Sequence, residues 1–247
     1  MEAFAYARPK TREEAVGLLG PGWADSAVLA GVTDLISLMK NYIVSANCLV
    51  DIKRIPDLGG IKRTGESITL GATLTLQELA DDKWLQSGFR GLVEAAAGVP
   101  SMQMRNMGTV AGDLCQRPRC WYYRNGFGLL ARDAKGKSLV PEGDNRYHAI
   151  LGNEGPAYFV NPSSLAPMLI ALDARATILK PGGSRTIALV EFFRAPKSED
   201  KREIGLEPNE LLTAQAVAAA VLLLRFGVNS VWAIAAGAAV GWLGGRG

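Results

Sequence analysis

One short run limits the architecture more than any other. Ala27-Val28-Leu29-Ala30, an apolar strand pattern, ends directly on Gly31, and a helical pattern follows over Leu35–Lys40. A strand that reverses into a helix within so few residues belongs to a layered α/β unit. The neighbouring segments agree with this. Phe4-Ala5-Tyr6 reads as a strand, and Thr11 with Glu14 forms a capping box for a helix that places Ala15, Leu18 and Leu19 on one apolar face. Gly20-Pro21-Gly22 stops that helix, and Cys48-Leu49-Val50-Asp51 gives a further strand. Residues 1–57 are therefore expected to form a small α/β subdomain.

From Gly59 the texture changes. Ser67–Leu70 alternates like a strand, Thr75 with Glu78 caps a short helix, and Leu92–Ala97 is helical up to Gly98-Val99-Pro100. Asn106–Leu114 reads as a glycine-bearing loop, and Asn125–Tyr147 as a polar loop of little periodicity. Tyr158-Phe159-Val160 resumes as strand, and Ser163 or Ser164 can cap a helix over Leu165–Leu172. Ala176–Leu179 and Arg185–Ala188, joined through Pro181-Gly182-Gly183, read as a hairpin. Residues 58–213 are expected as a larger α+β subdomain with mostly antiparallel strands.

A strand that ends in glycine and leads into a helix presents unpaired backbone N–H groups, which can bind a phosphate without any charged side chain. Leu29-Ala30-Gly31-Val32-Thr33-Asp34 has this form, with the Thr33 hydroxyl as a further donor. An ordinary βα turn would use glycine there as well. The second stretch, Arg105–Leu114, is more specific, since Gly108 and Gly112 lie four apart with Thr109, Asn106 and Asp113 around them. Neither matches G-x-G-x-x-G, so a Rossmann site is not supported.

Several runs together resemble one family. They are Ala30-Gly31 with Thr33-Asp34-Leu35, Arg105–Leu114, Gln116–Arg124, Asn145–Ile150, Pro162–Pro167, Glu191-Phe192-Phe193 and Glu210–Thr213. Over residues 1–213 the chain resembles the FAD-binding subunit of the molybdenum hydroxylases, which include xanthine dehydrogenase, carbon monoxide dehydrogenase and aldehyde oxidoreductase. The run Cys120-Trp121-Tyr122-Tyr123-Arg124 points to the aldehyde oxidoreductase branch. The resemblance implies a PCMH-type (vanillyl-alcohol-oxidase-type) FAD-binding fold of two α/β subdomains. It implies FAD held by Ala30, Gly31, Val32, Thr33, Asp34 and Leu35 in the first loop. In the second loop the implied residues are Arg105, Asn106, Gly108, Thr109, Gly112 and Asp113, joined by Ser163.

It also implies an electron-transfer role with no catalytic residue in this chain. Electrons would pass from iron–sulfur clusters by way of FAD to an external acceptor, beside a molybdopterin-binding large subunit and a small [2Fe–2S] subunit. Two stretches depart from the pattern. Ala111-Gly112-Asp113 stands where the family usually has Gly-Gly-Asn, and a carboxylate beside a diphosphate costs affinity unless it points away or pairs with Arg105. Ser163-Ser164-Leu165 stands where Ser-Asp-Leu is frequent.

Cys115 and Cys120 are spaced C-x₄-C and are the weak candidates for metal ligation. A cubane cluster wants four thiolates, and this chain has only Cys48 besides, so an iron–sulfur cluster and a zinc site are not expected here. His148, the lone histidine, reads as a hydrogen-bonded structural residue. Trp121, Tyr122 and Tyr123 suit either a flavin wall or core packing, and Arg117, Arg119 and Arg124 either a phosphate or partner contact or a solvated face.

With 27 basic and 24 acidic side chains the charge nearly balances, so no nucleic-acid partner is expected. The N-terminal run lacks the apolar core of a Sec-type signal. A cytoplasmic location is expected, or a periplasmic one if a partner carries the chain across. Beyond Thr213 the only ionisable side chains are Arg225 and Arg246. Residues 214–247 therefore read as a hydrophobic helical tail in place of the family's third domain, similar to the last helix of a chromate-transporter-type membrane protein, with a membrane contact over 214–243. A buried core helix is the alternative. Thr213 then marks a junction where the chain was truncated or fused, and a non-catalytic, membrane-tethered relic is the competing reading of function.

Overall fold

In the computed structural model, residues 1–218 other than Glu66 and Asn153 are described, and they form an α+β fold on two sheets. The first sheet is small and parallel. Strands β1 (Ala5–Ala7), β2 (Ser26–Leu29) and β3 (Cys48–Asp51) lie in the order β1-β3-β2, with helices α1 (Arg12–Gly17) and α2 (Leu35–Lys40) between successive strands. Thr11 caps α1 by accepting from the Glu14 amide at 3.1 Å. The Glu14 carboxylate, however, accepts from the Lys10 amide, so the return half of the expected capping box falls one residue early.

A 3₁₀ turn, Pro56–Leu58, leads into the second sheet. Its strands are β4 (Ile61–Thr64), β5 (Ser67–Gly71), β6 (Arg175–Lys180), β7 (Gly183–Ala188) and β8 (Leu211–Ala218), ordered β4-β5-β8-β6-β7 and antiparallel throughout. Between β5 and β6 run α3 (Leu76–Asp81), α4 (Lys83–Gly88), α5 (Arg90–Ala97), α6 (Met102–Met107), α7 (Val110–Leu114), α8 (Trp121–Arg124) and α9 (Ala166–Ala171), while α10 (Leu189–Phe192) follows β7. Ile68, Leu70 and Ile178 of the sheet pack on Leu79, Leu92, Leu114 and Leu169 of the helices. Leu211 of β8 joins the core cluster of Val50, Ile55 and Leu58 beside the small sheet, which ties the two sheets together.

Three expectations are corrected. Asn106–Leu114 is not an open loop. Ser101 caps α6 through the Met104 amide, and Thr109 caps α7 through the Gly112 amide, so only Gly108 and Thr109 lie between two short helices. Tyr158–Val160 is not a strand, because it accepts a bond from the Ala149 amide at Tyr158 but joins neither sheet.

The third correction concerns the tail. Residues 214–218 are not the start of a helix but the second half of β8, the central strand of the large sheet. Thr213, Gln215 and Val217 are buried in alternation, and that period of two suits a strand placed between β5 and β6. At Thr213 itself the ladder shifts register, and its hydroxyl donates to the Thr177 carbonyl at 3.0 Å. The rest of the expected hydrophobic tail, with the membrane contact, lies outside the described residues. Among the described residues no helix is long and apolar enough to cross a membrane.

Candidate functional site

The first loop connects β2 to α2 where the small parallel sheet meets the large subdomain. The amides of Gly31, Val32, Thr33 and Asp34 donate to no protein acceptor among the described residues. Asp34 is the N-cap of α2, yet its carboxylate makes no capping bond. Val32 holds a left-handed φ of 67°, which costs a β-branched residue about 1–3 kcal/mol, so the surrounding packing must impose it. Part of that packing is the second stretch. A Cβ on Gly31 would collide with the Met107 carbonyl oxygen and come within 2.8 Å of the Gly108 Cα, so only glycine lets the two segments touch.

The two segments are not equivalent cradles. Most amides of the second one are spent internally: Gly108 donates to Met104, Val110 to Leu74, Ala111 to Ala72, and Gly112 to the Thr109 hydroxyl. Its part is to buttress the first loop and to offer the edge of Thr109 and Gly112.

Asp34 binds the run that follows. It accepts from the Arg117 amide at 2.9 Å and from the Arg124 guanidinium at 2.9 Å, with Arg119 at 3.6 Å. Arg124 also donates to the carbonyls of Pro118 and Arg117, which folds the basic run over the loop. Asp34 thus orders the run through the Arg117 amide and the Arg124 guanidinium, while the Arg119 side chain stays half exposed and the Arg117 guanidinium turns to Glu203.

Asp113, a position where the sequence departs from the family pattern, spends its carboxylate on the Ser163–Leu165 segment and on Gln116. Its carboxylate accepts from the Ser163 hydroxyl, from the Leu165 amide at 3.0 Å, from the Ser164 amide at 3.3 Å and from Gln116 Nε2 at 3.0 Å. Burial raises its pKa, and these hydrogen bonds oppose the rise without cancelling it. The Ser163 hydroxyl in turn accepts from the Ala166 amide at the start of α9. Arg105 does not pair with Asp113, since it donates to Gln77 and to the Val99 carbonyl.

Two cavities, of about 200 Å³ and about 180 Å³, flank this arrangement and share Thr33, Asp34, Thr109, Gly112 and Gln116. Ala30, Gly31, Val32 and Leu35 line the larger one, while Gly108 and Asp113 line the smaller. Arg105, Asn106 and Ser163 line neither.

The larger cavity also has a wall made by Arg117, Arg202 and Ile204, of which the sequence singles out Arg117 alone. Arg117 Nε stands 2.7 Å from the buried Glu203 carboxylate, although the two are not aligned as a hydrogen bond. Arg202 sits 4.3 Å over the Trp23 ring. Nothing local marks Arg202 or Glu203 in the sequence, because a polar, loop-like stretch surrounds them.

The cysteines do not assemble a centre. Among the described residues no group of three or more His, Cys, Asp or Glu side chains can hold a metal ion. Burial pushes the Cys115 thiol up to about 12. Cys120 Sγ lies 3.1 Å from His148 Nε2, which gives the lone histidine a partner. The rings of Trp121 and Tyr122 pack on His148, and Tyr123 is buried with Leu38 and Leu129, so none of these aromatic side chains lines either cavity.

The loop amides and the cationic wall face one cavity, which suits a ligand with an anionic segment. The family described as "FAD binding domain in molybdopterin dehydrogenase" matches residues 2–217. The aldehyde oxidoreductase FAD-binding subunit PaoB of Escherichia coli K12 is 30% identical over 223 residues, 87% of this chain and 68% of that subunit. The carbon monoxide dehydrogenase medium chain of Hydrogenophaga pseudoflava is 30% identical over 190 residues, 77% of this chain and 52% of its own length.

A solved structure of the Hydrogenophaga pseudoflava carbon monoxide dehydrogenase superimposes with a TM-score of 0.63 at 27% identity, covering 88% of this chain and 60% of that one. Quinoline 2-oxidoreductase from Pseudomonas putida 86 shares the fold, with a TM-score of 0.61 at 20% identity over 88% of this chain and 60% of its own. None of these matches supports a chromate-transporter likeness for the tail.

Proposed function

Since this chain belongs to the family of FAD-binding domains in molybdopterin dehydrogenases, we propose that it is the flavin-bearing, electron-transferring component of a multi-subunit molybdenum-dependent oxidoreductase. The observation that carries the reading is the set of unpaired amides on Gly31–Asp34, pressed by Gly31 against Met107–Gly108 and opening on the larger cavity. Ala30–Leu35 would hold the cofactor, with Gly108, Thr109 and Gly112 closing the loop from the other side. Asp113 and Ser163 would act from behind, by fixing the start of α9.

FAD, when bound, supplies the redox chemistry that links a molybdopterin-bearing large subunit and a small [2Fe–2S] subunit to an external electron acceptor. The protein's own part is to orient the cofactor and keep its anionic segment on backbone donors. An aldehyde as the substrate class of the whole complex is favoured by the likeness to PaoB. The engagement of the buried Asp113 carboxylate by Ser163 and Leu165 removes one argument for a non-catalytic relic, because donors of the protein already take up its charge. A membrane contact rests only on the apolar composition of residues 219–243 and is tested by detergent partition of the full chain.

The visible spectrum of the purified full-length chain tests the central reading. A flavin spectrum with acid-released, noncovalent FAD is expected. A folded protein that stays colourless after incubation with FAD would overturn it.

A further inference from the structure

Arg202 is a costly residue to place where it stands. Its guanidinium carbon lies 4.3 Å from the centre of the Trp23 ring, its Nε is buried, and among the described residues it donates no hydrogen bond. A guanidinium carries donors and no acceptor, and an Nε–H shut off from solvent with no acceptor in the protein is unfavourable unless something outside the chain satisfies it. The neighbours do not supply the balance. Glu203 alone serves both Arg202 and Arg117, and neither of its oxygens makes a hydrogen bond. Two cations against one carboxylate leave net positive charge in a largely closed place. Burial and the like charge of Arg117 lower the Arg202 pKa to about 10, which still leaves it charged at neutral pH.

Both arginines line the cavity that Gly31–Asp34 line. What these groups lack in common is acceptors. The four loop amides and the guanidinium are unmet donors around one space, and the two carboxylates that also line it are already engaged, Asp34 by Arg117 and Arg124 and Glu210 by Arg185. An anion with several oxygens satisfies such a set, whereas a neutral ring system does not.

We propose that Arg202, seated on Trp23 and paired with Arg117 across Glu203, binds the diphosphate of the dinucleotide opposite the Gly31–Asp34 amides. This rests on the flavin-binding reading above. It adds an electrostatic anchor from the segment before β8, far in sequence from both glycine-bearing stretches.

Equilibrium binding to cofactor-stripped full-length protein tests it, with FAD and riboflavin compared by flavin fluorescence. Riboflavin has no phosphate. Arg202→Met is expected to weaken FAD about 10- to 100-fold, the range of a charge-assisted hydrogen bond, and to leave riboflavin unchanged. Arg202→Lys keeps the charge without the planar fork and should lose only a few-fold on FAD. The affinity of the wild type for FAD should also fall more steeply with salt than that of Arg202→Met. Equal losses for both ligands, or no loss for FAD, would overturn the proposal while leaving the flavin reading intact. If Arg202→Met does not fold by circular dichroism, Arg202→Lys decides by the same comparison. Wild-type protein that binds neither ligand would instead sink the flavin reading itself.

Discussion

The hydroxyl of Ser163 donates to the carboxylate of Asp113 across 50 residues of chain, and the same carboxylate takes the amides of Ser164 and Leu165. Asp113 thus fixes the turn that leads into α9, while Ser163 itself accepts from the first helical amide, that of Ala166. Ser163→Ala should cost about 1–2 kcal/mol, and Asp113→Ala about 2–4 kcal/mol because it strands several buried donors. Urea unfolding measures both. Losses below about 0.5 kcal/mol for each would show that the contact is incidental.

The same carboxylate predicts an unusual pH dependence. Burial holds the Asp113 pKa above its ordinary value of 3.8, so on acidification the folded state binds the proton before the unfolded state does. Its contribution to stability therefore grows as pH falls through the folded value towards the ordinary one, against the usual trend for acids. Wild type should gain on Asp113→Asn as pH falls from neutral towards the ordinary value of 3.8. A constant difference across that range would remove the argument.

Glu210 should behave in the opposite sense. Burial raises its pKa, but the hydrogen bonds from Arg185 and from the Glu207 amide, with the Arg185 charge, outweigh that and hold it below the ordinary value. Its stabilising pair is present above the ordinary carboxylate value and is lost as pH falls through the lower, folded value. Arg185→Met should destabilise by about 1.5–3 kcal/mol at neutral pH, and the loss should shrink in strong acid. Paired melting curves of wild type and variant give both numbers.

Gly31→Ala places a methyl group on the Met107 carbonyl. Overpacking of this kind costs about 1–3 kcal/mol, and here it must also push the first loop off the second. FAD affinity is expected to drop with stability. Gly17→Ala, where nothing lies within 4 Å, is the control and should be neutral or slightly stabilising. Similar effects from the two variants would mean that Gly31 is not a contact point.

Thiol labelling separates the cysteines of the C-x₄-C pair. Cys115 has a pKa near 12 through burial, whereas Cys120 sits beside His148. A maleimide or disulfide reagent should modify Cys120 in the native protein and Cys115 at least about 100-fold more slowly. Peptide mapping by mass spectrometry after brief exposure would show a different order if Cys115 opens readily to solvent.

What the sequence made legible was local. Leu35–Lys40, Cys48–Asp51 and the Thr75–Glu78 box depend on neighbours within four residues, and they stand where pattern and capping place them. The hairpin of β6 and β7 follows from its turn residues in the same way. Of the candidate site, two chain-local stretches were legible, Gly31–Asp34 and Gly108–Asp113, and residues of both line the cavities. Its other parts come from afar: Asp34 meets Arg124 across 90 residues, and Arg202 joins the wall from the segment before β8. The alanine-rich run after Thr213 has low polarity in either conformation, so composition favoured a helix while the open sides of β5 and β6 required a strand.

That central strand sets the order of assembly. While the chain is being made, β4 with β5 and β6 with β7 can each close as local hairpins, but they remain two separate ribbons with exposed inner edges. They become one sheet only when residues 211–218 have emerged and slot between them. A nascent chain halted before that point has made the Gly31–Asp34 loop but lacks the keystone of the large sheet, and its unpaired edges are open to aggregation or to chaperones until synthesis passes β8.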